Sequence, residues 1–140
     1  MDAQTRQRVI GEALTWQGTP HVHRQSSKGR GADCALFPLK VYQTLGILGE
    51  IDIPKYSQQW HLHHSEEILL QKVIELGGVE TAAPEPGNFI LWKIGRTYSH
   101  GGIILAWPQI IHAVARQTVY TADALTDGTV SRKPYKVFEL

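Results

Sequence analysis

The amino-acid sequence predicts an α+β fold, in which helices of the N-terminal half pack on an antiparallel sheet from the C-terminal half. Apolar residues recur at helical spacing before Pro84, whereas the residues after Pro86 form short runs rich in Ile, Val, Phe and Tyr. Helices followed by strands, with short turns between them, are typical of this class. Since one domain commonly takes about 150 residues, residues 1–140 are expected to form a single domain.

Three helices are expected in the first half of the chain, each followed by glycine. They cover residues 3–16, from about Cys34 to Gly46, and from about Ser65 to Gly77. Asp33 is placed to cap the second helix. Pro38 requires this helix to begin near Cys34 or to kink at the proline, because proline is tolerated without a kink only in the first turn.

Four strands are expected in the second half, each marked by β-branched and aromatic residues. They cover residues 88–94, 101–107, 109–115 and about 135–138. Residues 47–64 show no regular period and are expected to form an irregular crossing, with Trp60 anchoring it on the core.

The charge balance excludes two classes of partner. Lys and Arg number 14 against 13 Asp and Glu, the formal net charge is +1, and no basic block is present. A nucleic-acid-binding or anionic-membrane surface is therefore not expected. Apolar runs are too short for membrane insertion, and the polar residues after Met1 do not resemble a signal peptide. We expect synthesis in the cytoplasm, so action outside it would need another route of delivery.

Cys34 is the single cysteine and the candidate nucleophile. At the start of a helix, the positive end of the dipole and free backbone amides favour a thiolate and are expected to lower the pKa of the thiol. The alternative is a buried, inert thiol, which is common among free cysteines. Only its partners can decide between these interpretations.

His100 and His112 are candidates for a general base and for the group that orients it. They lie on two predicted strands of a hairpin that turns near Trp107. A three-residue loop would place residue 102 opposite residue 112, and both histidines would then share one face. A two-residue loop would separate them unless Gly101 or Gly102 forms a bulge. A catalytic pair therefore requires an odd-length loop or a bulge, and the alternative is two ordinary strand histidines.

The cluster His61-Leu62-His63-His64, with Glu66 or Glu67 after it, raises the question of a zinc site. Zinc requires three or four converging ligands. His61 and His63 share a face only in an extended segment, and neither a cysteine nor a His-Glu-x-x-His helix accompanies them. We expect a solvated loop and no metal. The sequence contains no phosphate-binding loop and no dinucleotide fingerprint, so no cofactor is expected.

Several spaced motifs follow one another along the chain. They are Trp16-x-Gly18-Thr19-Pro20, Lys28-Gly29-x-Gly31-x-Asp33-Cys34, Pro86-Gly87-Asn88-Phe89, His100-Gly101-Gly102-Ile103 and Ile111-His112-Ala113. In this order they resemble the NlpC-type cell-wall peptidases over most of the chain. The segment Tyr56-Ser57-x-x-Trp60 is similar to the version found in phage tail-assembly proteins and prophage-like particles.

The resemblance implies a papain-like core and hydrolysis of peptide bonds in peptidoglycan stem peptides, commonly after D-glutamate. Cys34 would be the nucleophile, His100 the general base and acid, and His112 the group that orients His100. The Cys34 thiolate would attack the carbonyl, with the Cys34 backbone amide as one oxyanion donor. Water activated by His100 would then release the product from the acyl-enzyme.

Three departures from the family pattern concern substrate contact. His21 stands where the family usually has a tyrosine that lines the active site, and it is either a substrate contact or a solvated loop residue. Ala35 and Pro38 occur in the stretch after the cysteine, where members often have Ser and Gly. Asp33 matches a carboxylate that binds the free amino terminus of the stem peptide in some members, and a plain helix cap is the alternative.

Other functions stay open at this stage. The departures are compatible with a non-catalytic assembly or wall-binding module of the same fold. The same three side chains could also serve a cysteine amidase or acyltransferase on a different amide. The tail-protein resemblance further implies that the protein travels in a phage tail or tail-like particle, which would deliver it to the periplasm or cell wall.

Overall fold

The computed structural model describes residues 1–51 and 67–140. The described helices are α1 (Ala3–Leu14), α2 (Leu36–Thr44) and α3 (Ile68–Glu75). The described strands are β1 (Ser26–Ser27), β2 (Gly31–Ala32), β3 (Val79–Thr81), β4 (Phe89–Ile94), β5 (Thr97–Ala106), β6 (Gln109–Ala113), β7 (Val119–Asp123) and β8 (Tyr135–Glu139). The predicted α+β class is confirmed. Most of the predicted crossing at residues 47–64, including Trp60, lies outside the described residues.

Helix α1 begins with a side-chain cap and ends slightly earlier than predicted. Asp2 Oδ1 accepts a hydrogen bond from the Thr5 amide at 2.7 Å, which satisfies one of the free donors at the helix start. The helix ends at Leu14 because the amides of Thr15 and Trp16 bond to carbonyls three residues back, which tightens the last turn. Trp16 is nonetheless buried in the core, as its spacing predicted.

Helix α2 starts and ends close to its predicted positions, and α3 ends close to its predicted end. Pro38 lies in the first turn of α2, where its missing amide removes no helical hydrogen bond. Gly46 and Gly77 follow the two helices with positive φ values of 75° and 94°, the conformation that ends a helix most easily at glycine. The predicted start of α3 near Ser65 lies outside the described residues.

The described strands form one six-stranded antiparallel sheet in the order β3-β8-β4-β5-β6-β7, and β1 pairs with β2 separately. Strands β4, β5, β6 and β8 are the four predicted strands, although β5 begins at Thr97 rather than at Gly101. Strands β3 and β7 at the two edges were not predicted, nor was the short β1–β2 pair. Most residues of β3 and β7 are at least partly exposed, so both lack the regular apolar pattern of a buried strand.

Strand β4 is buried on both faces and separates two hydrophobic clusters. Phe89 and Leu91 belong to the cluster that includes the helices. Ile90 and Trp92 belong to a second cluster, which includes Val130 from the connection between β7 and β8. Because successive strand residues point to opposite faces, β4 contributes to both cores. The neighbouring strand β5, which carries His100, is therefore held in a well-packed part of the sheet.

Candidate active site

Asp33 organises the turn that carries the candidate nucleophile. Its Oδ1 atom accepts hydrogen bonds from the amides of Ala35 and Leu36 at 3.0 and 2.7 Å. Its Oδ2 atom accepts one from the Arg24 amide at 2.8 Å. The residue is only 2% exposed, and these bonds offset the cost of burying a carboxylate. The capping contacts expected of Asp33 are present, and binding of a substrate amine by the same carboxylate stays a prediction.

Cys34 lies against the two residues of β5 that flank His100. The Cys34 Sγ atom is 3.7 Å from the Ser99 carbonyl oxygen. A Cβ atom added to Gly101 would come within 2.9 Å of the Cys34 carbonyl oxygen, so the close approach of these backbones requires glycine. The turn before α2 and strand β5 thus bring the candidate nucleophile and the candidate base into one region.

The pKa of Cys34 is raised, contrary to the expectation for a thiol at the start of a helix. Burial is the main cause and the negative charge of Asp33 the second, and together they raise the pKa of Cys34 from 9.0 to about 12. The amides of Gly101, Cys34 and Ala35 act in the opposite direction but are outweighed. The amides of Ala35 and Leu36 donate to Asp33, so a negative charge already occupies the helix start. Cys34 therefore needs a proton acceptor to react at neutral pH.

A bulge in β5 sets the register of the β5–β6 hairpin. Ala106 pairs with Gln109 across a two-residue turn, whereas Ile103 pairs with Ile111. The register shifts by one residue at Leu105. A two-residue turn alone would place His100 and His112 on opposite faces of the sheet, and the shift returns them to the same face. We expected either an odd-length loop or a bulge to place the two histidines on one face. The structure has a bulge, but it lies at Leu105 and not at Gly101 or Gly102.

His100 and His112 meet across this hairpin. His100 Nε2 lies 2.9 Å from His112 Nδ1, and the ring planes are nearly perpendicular, at 84°. Gly102 leaves space for the pair, because an added Cβ atom would lie 3.0 Å from the Ile111 carbonyl oxygen and 3.4 Å from His112 Cβ. With Nε2 of His100 engaged, Nδ1 is the other ring nitrogen that can exchange a proton.

Trp92 packs on both histidines, although sequence reasoning did not single it out. It pairs with His100 across β4 and β5. Its ring centroid lies 5.7 Å from that of His100 and 6.0 Å from that of His112. His100 is 8% exposed and His112 is 0% exposed, so the two imidazoles interact in a region from which water is largely excluded. Electrostatic interactions between them are correspondingly strong.

Two further side chains, from β7 and the connection after it, lie behind His112. Tyr120 pairs with His112 across β6 and β7, and their rings meet edge to face with centroids 4.9 Å apart. The Tyr120 hydroxyl donates to Asp127 Oδ2 at 2.9 Å, and this oxygen lies 3.8 Å from His112 Nε2. Burial lowers the pKa of His112 to about 4, although the charge of Asp127 opposes this, so the ring is neutral at neutral pH. Sequence reasoning missed both residues because it missed β7, for which Val119-Tyr120-Thr121 was the available signal.

His21 lies beside the strand that leads to Cys34. Its backbone amide donates to the Gln117 carbonyl at 2.9 Å, and the residue forms an isolated bridge with Ala32. Burial lowers the pKa of the His21 imidazole, and the charge of Asp33 opposes this shift. A neutral imidazole offers one donor and one acceptor. Contact between His21 and a substrate stays a prediction.

Residues 1–51 and 67–140 contain neither a metal-binding cluster nor a helix that could span a membrane. No group of three or more His, Cys, Asp or Glu in these two ranges is arranged to hold a metal ion. Most of the histidine cluster considered as a zinc site, residues 61–66, lies outside the described residues. Glu67, which follows it, accepts a hydrogen bond from the Tyr98 amide at 2.9 Å. None of the helices in the same two ranges has the length and apolar character needed to cross a bilayer.

Comparison with protein families gives one match, which spans nearly the whole chain. The family is described as the NlpC/P60 family, and its model matches residues 11–137. All five candidate site residues, from His21 to His112, lie within this range. A search of curated proteins found no match.

Solved structures with a similar fold include three of particular interest. The NlpC/p60 domain of the peptidoglycan hydrolase SagA has a TM-score of 0.66 and 20% identity, over 94% of this chain and 97% of that one. An NlpC/P60 family protein from Bacillus cereus ATCC 10987 has a TM-score of 0.66 and 19% identity, over 94% of this chain and 39% of that one. RipD from Mycobacterium tuberculosis, described as a non-catalytic NlpC/p60 domain protein adapted to peptidoglycan binding, has a TM-score of 0.62 and 16% identity, over 99% of each chain. At these identities the likeness concerns the fold.

Proposed function

The chain belongs to the NlpC/P60 family, and we propose that it is a cysteine peptidase that hydrolyses peptide bonds in peptidoglycan stem peptides. The observation that carries the proposal is the 2.9 Å contact between His100 Nε2 and His112 Nδ1. The residues on each side of His100 in turn contact Cys34. Thiol catalysis requires a nucleophile, a proton acceptor and a group that orients the acceptor. We also propose that residues 1–140 form a single domain.

In the proposed reaction, His100 Nδ1 takes the proton of the Cys34 thiol as the sulfur attacks the carbonyl carbon of the scissile amide. The backbone amide of Cys34 donates a hydrogen bond to the resulting oxyanion. His100 then gives its proton to the leaving amine, the carbon–nitrogen bond breaks, and a thioester acyl-enzyme forms. Water that loses a proton to the same imidazole hydrolyses the thioester and restores the thiol.

The raised pKa of Cys34 fits a mechanism in which proton transfer accompanies attack. A thiol with a pKa of about 12 holds almost no thiolate at neutral pH. Its proton must therefore pass to His100 during the reaction. His112, with a pKa of about 4, stays neutral and can accept a hydrogen bond from His100 Nε2–H without competing for that proton.

The finer details of the substrate rest on the sequence motifs. We assign the cleavage site to the bond after D-glutamate, with His21 and Asp33 as substrate contacts. Both residues adjoin the turn that carries Cys34. Asp33 Oδ2 accepts a hydrogen bond from the Arg24 amide, and a carboxylate is the group that pairs most readily with a protonated amine.

A second candidate is a non-catalytic peptidoglycan-binding module. RipD, which shares the fold, is described in these terms, and the observation that favours this alternative here is that His21, Ala35 and Pro38 depart from the family pattern. A cysteine amidase or acyltransferase would use the same three side chains on another amide, so only its products would differ.

We also propose that a phage tail or tail-like particle delivers the protein to the periplasm or cell wall. The support is the tail-protein motif Tyr56-Ser57-x-x-Trp60 in the sequence, which lies outside the described residues. Mass spectrometry of purified particles is expected to detect the protein. Its presence in the soluble fraction alone would contradict this route.

The peptidase is tested by mass spectrometry of purified peptidoglycan fragments incubated with the protein, with Cys34→Ala as the control. New peptide fragments that require Cys34 would support the peptidase and identify the bond. Binding of fragments without cleavage, in a sample whose Cys34 is shown to be reduced, would favour the binding module. Cleavage of another amide, or transfer of the acyl group to an amine, would favour the amidase or acyltransferase.

A further inference from the structure

One buried atom next to the catalytic pair has no role in the proposed mechanism. His112 is 0% exposed, and its Nε2 atom has no hydrogen-bond partner among the residues that the structure describes. The Oδ2 atom of Asp127 faces it at 3.8 Å, which is longer than a hydrogen bond. Since buried polar atoms are normally paired, this juxtaposition requires a physical explanation.

Asp127 presents a fixed negative charge to this nitrogen. Its Oδ1 atom accepts a hydrogen bond from the Thr129 amide at 2.9 Å, and its Oδ2 atom accepts one from the Tyr120 hydroxyl at 2.9 Å. Burial disfavours the charge, but the bonds from Thr129 and Tyr120 and the interaction with His112 hold the pKa of Asp127 below its ordinary value. The carboxylate is therefore ionised and cannot rotate freely.

Within residues 1–51 and 67–140, the other groups that pack on His112 are the His100 imidazole and two aromatic rings. His100 contacts its Nδ1 atom from β5, and the Trp92 ring packs on it from β4. The Tyr120 ring packs on it from β7, and the Tyr120 hydroxyl, with a pKa raised to about 12, is neutral. In the part of the chain that the structure describes, Asp127 is thus the anion that faces the His112 ring, on the side opposite His100.

The protons on the two imidazoles are linked. A neutral imidazole carries a proton on one nitrogen and a lone pair on the other. When His112 carries its proton on Nε2, its Nδ1 atom accepts a hydrogen bond from His100 Nε2–H, and His100 Nδ1 keeps the lone pair that a base needs. When His112 carries its proton on Nδ1, His100 Nε2 must accept, and the His100 proton moves to Nδ1. His100 can then no longer take a proton from the thiol.

We propose that Asp127 is a positioning residue that holds His112 in its Nε2–H tautomer and thereby keeps His100 Nδ1 basic. A negative charge attracts the N–H dipole and repels a nitrogen lone pair, so it favours the tautomer with the proton on its own side. The catalytic consequence rests on the proposed peptidase function. The tautomer itself is a property of the folded protein and can be measured without a substrate.

Nitrogen-15 NMR of the imidazole nitrogens in the folded protein at neutral pH measures the tautomer directly, because protonated and unprotonated nitrogens have separate chemical shifts. We expect a protonated Nε2 and an unprotonated Nδ1 in His112, and a protonated Nε2 in His100. A proton on Nδ1 of His112 in the unmodified protein would overturn the proposal. This measurement requires no variant and does not depend on the folding of one.

Asp127→Asn tests the cause. Asparagine keeps an acceptor for the Thr129 amide, removes the charge, and can turn its amide NH₂ toward His112 Nε2. We expect His112 to change to the Nδ1–H tautomer in this variant. The matched control is Asp123→Asn, which removes a charge from a residue that accepts a hydrogen bond from the Leu125 amide, and it is expected to leave the tautomer unchanged. An Nε2–H tautomer that persists in Asp127→Asn would overturn the proposal.

Peptidase kinetics supply an independent second measurement. We expect kcat of Asp127→Asn to fall about 10- to 100-fold, by analogy with the carboxylates that orient metal-bound histidines from behind, with KM unchanged. Asp123→Asn should keep the unmodified kcat. A tautomer change in a protein that cleaves no stem peptide would support the role of Asp127 and refute the peptidase. Full kcat in an Asp127→Asn protein with the unmodified tautomer would refute the role of Asp127 and leave the peptidase intact.

Discussion

Removal of His100 is expected to reveal the intrinsic reactivity of the Cys34 thiol. Burial and the charge of Asp33 raise the pKa of this thiol from 9.0 to about 12. The variant His100→Ala keeps both causes and removes the proposed proton acceptor. We therefore expect its Cys34 to react with a neutral disulfide reagent more slowly than the same thiol does in the unfolded chain.

Two opposing effects set the size of this difference. A rise of about 3 pKa units lowers the thiolate fraction about a thousandfold at any pH below about 9. The more basic thiolate is also more nucleophilic, and a Brønsted coefficient of about 0.45 recovers about 20-fold in disulfide exchange. The net expectation is a rate about 40-fold below that of the unfolded chain, with the logarithm of the rate rising linearly with pH beyond about pH 10.

Stopped-flow absorbance with dithiodipyridine measures this rate as a function of pH, and circular dichroism verifies that the variant is folded. The unmodified protein should react faster than His100→Ala below pH 7 if His100 takes the thiol proton, as proposed. A folded variant that reacts at the rate of the unfolded chain, with an inflection near pH 9, would refute the control of the Cys34 pKa by burial and Asp33. An unmodified protein as slow as the variant would refute the role of His100.

Three further outcomes are expected. Gly102→Ala should destabilise the protein by about 1–3 kcal/mol in urea unfolding, because the added carbon meets the backbone of β6. Gly11→Ala, in open space on α1, should instead stabilise it by up to about 1 kcal/mol. A Gly102→Ala variant more stable than Gly11→Ala would contradict the packing argument. Asp33→Asn should lower the pKa of Cys34, because the Asp33 charge raises it; an unchanged inflection in the dithiodipyridine profile would count against this cause. The free energy of unfolding should fall as the pH drops from about 6.5 to about 4, because His112 gains its proton near pH 6.5 when unfolded and near pH 4 when folded. The loss of unfolding free energy approaches about 1.4 kcal/mol per pH unit and about 3 kcal/mol in total. His112→Asn should remove this contribution to the pH dependence, and an unchanged pH dependence in that variant would assign it to other groups.

Much of the fold follows from local patterns that sequence reasoning detects. The four central strands carry continuous β-branched and aromatic residues, and Pro38 with Asp33 restricts where α2 begins. The edge strands β3 and β7 escaped prediction because their residues are mostly exposed and need no regular apolar pattern. For the hairpin the sequence left two alternatives, an odd-length loop or a bulge. Both place His100 and His112 on the same face, so only the structure could identify the bulge at Leu105.

The candidate site divides in the same way. By itself the sequence determined the residue types and their order, Cys34 before His100 before His112, because a motif is recognised from residue types and their spacing along the chain. Only the tertiary structure decided the sign of the Cys34 pKa shift and placed Asp127 behind His112. The physical reason is that burial and charge act through space: the groups that set a pKa or a tautomer come from several elements, and no local pattern records which of them will meet.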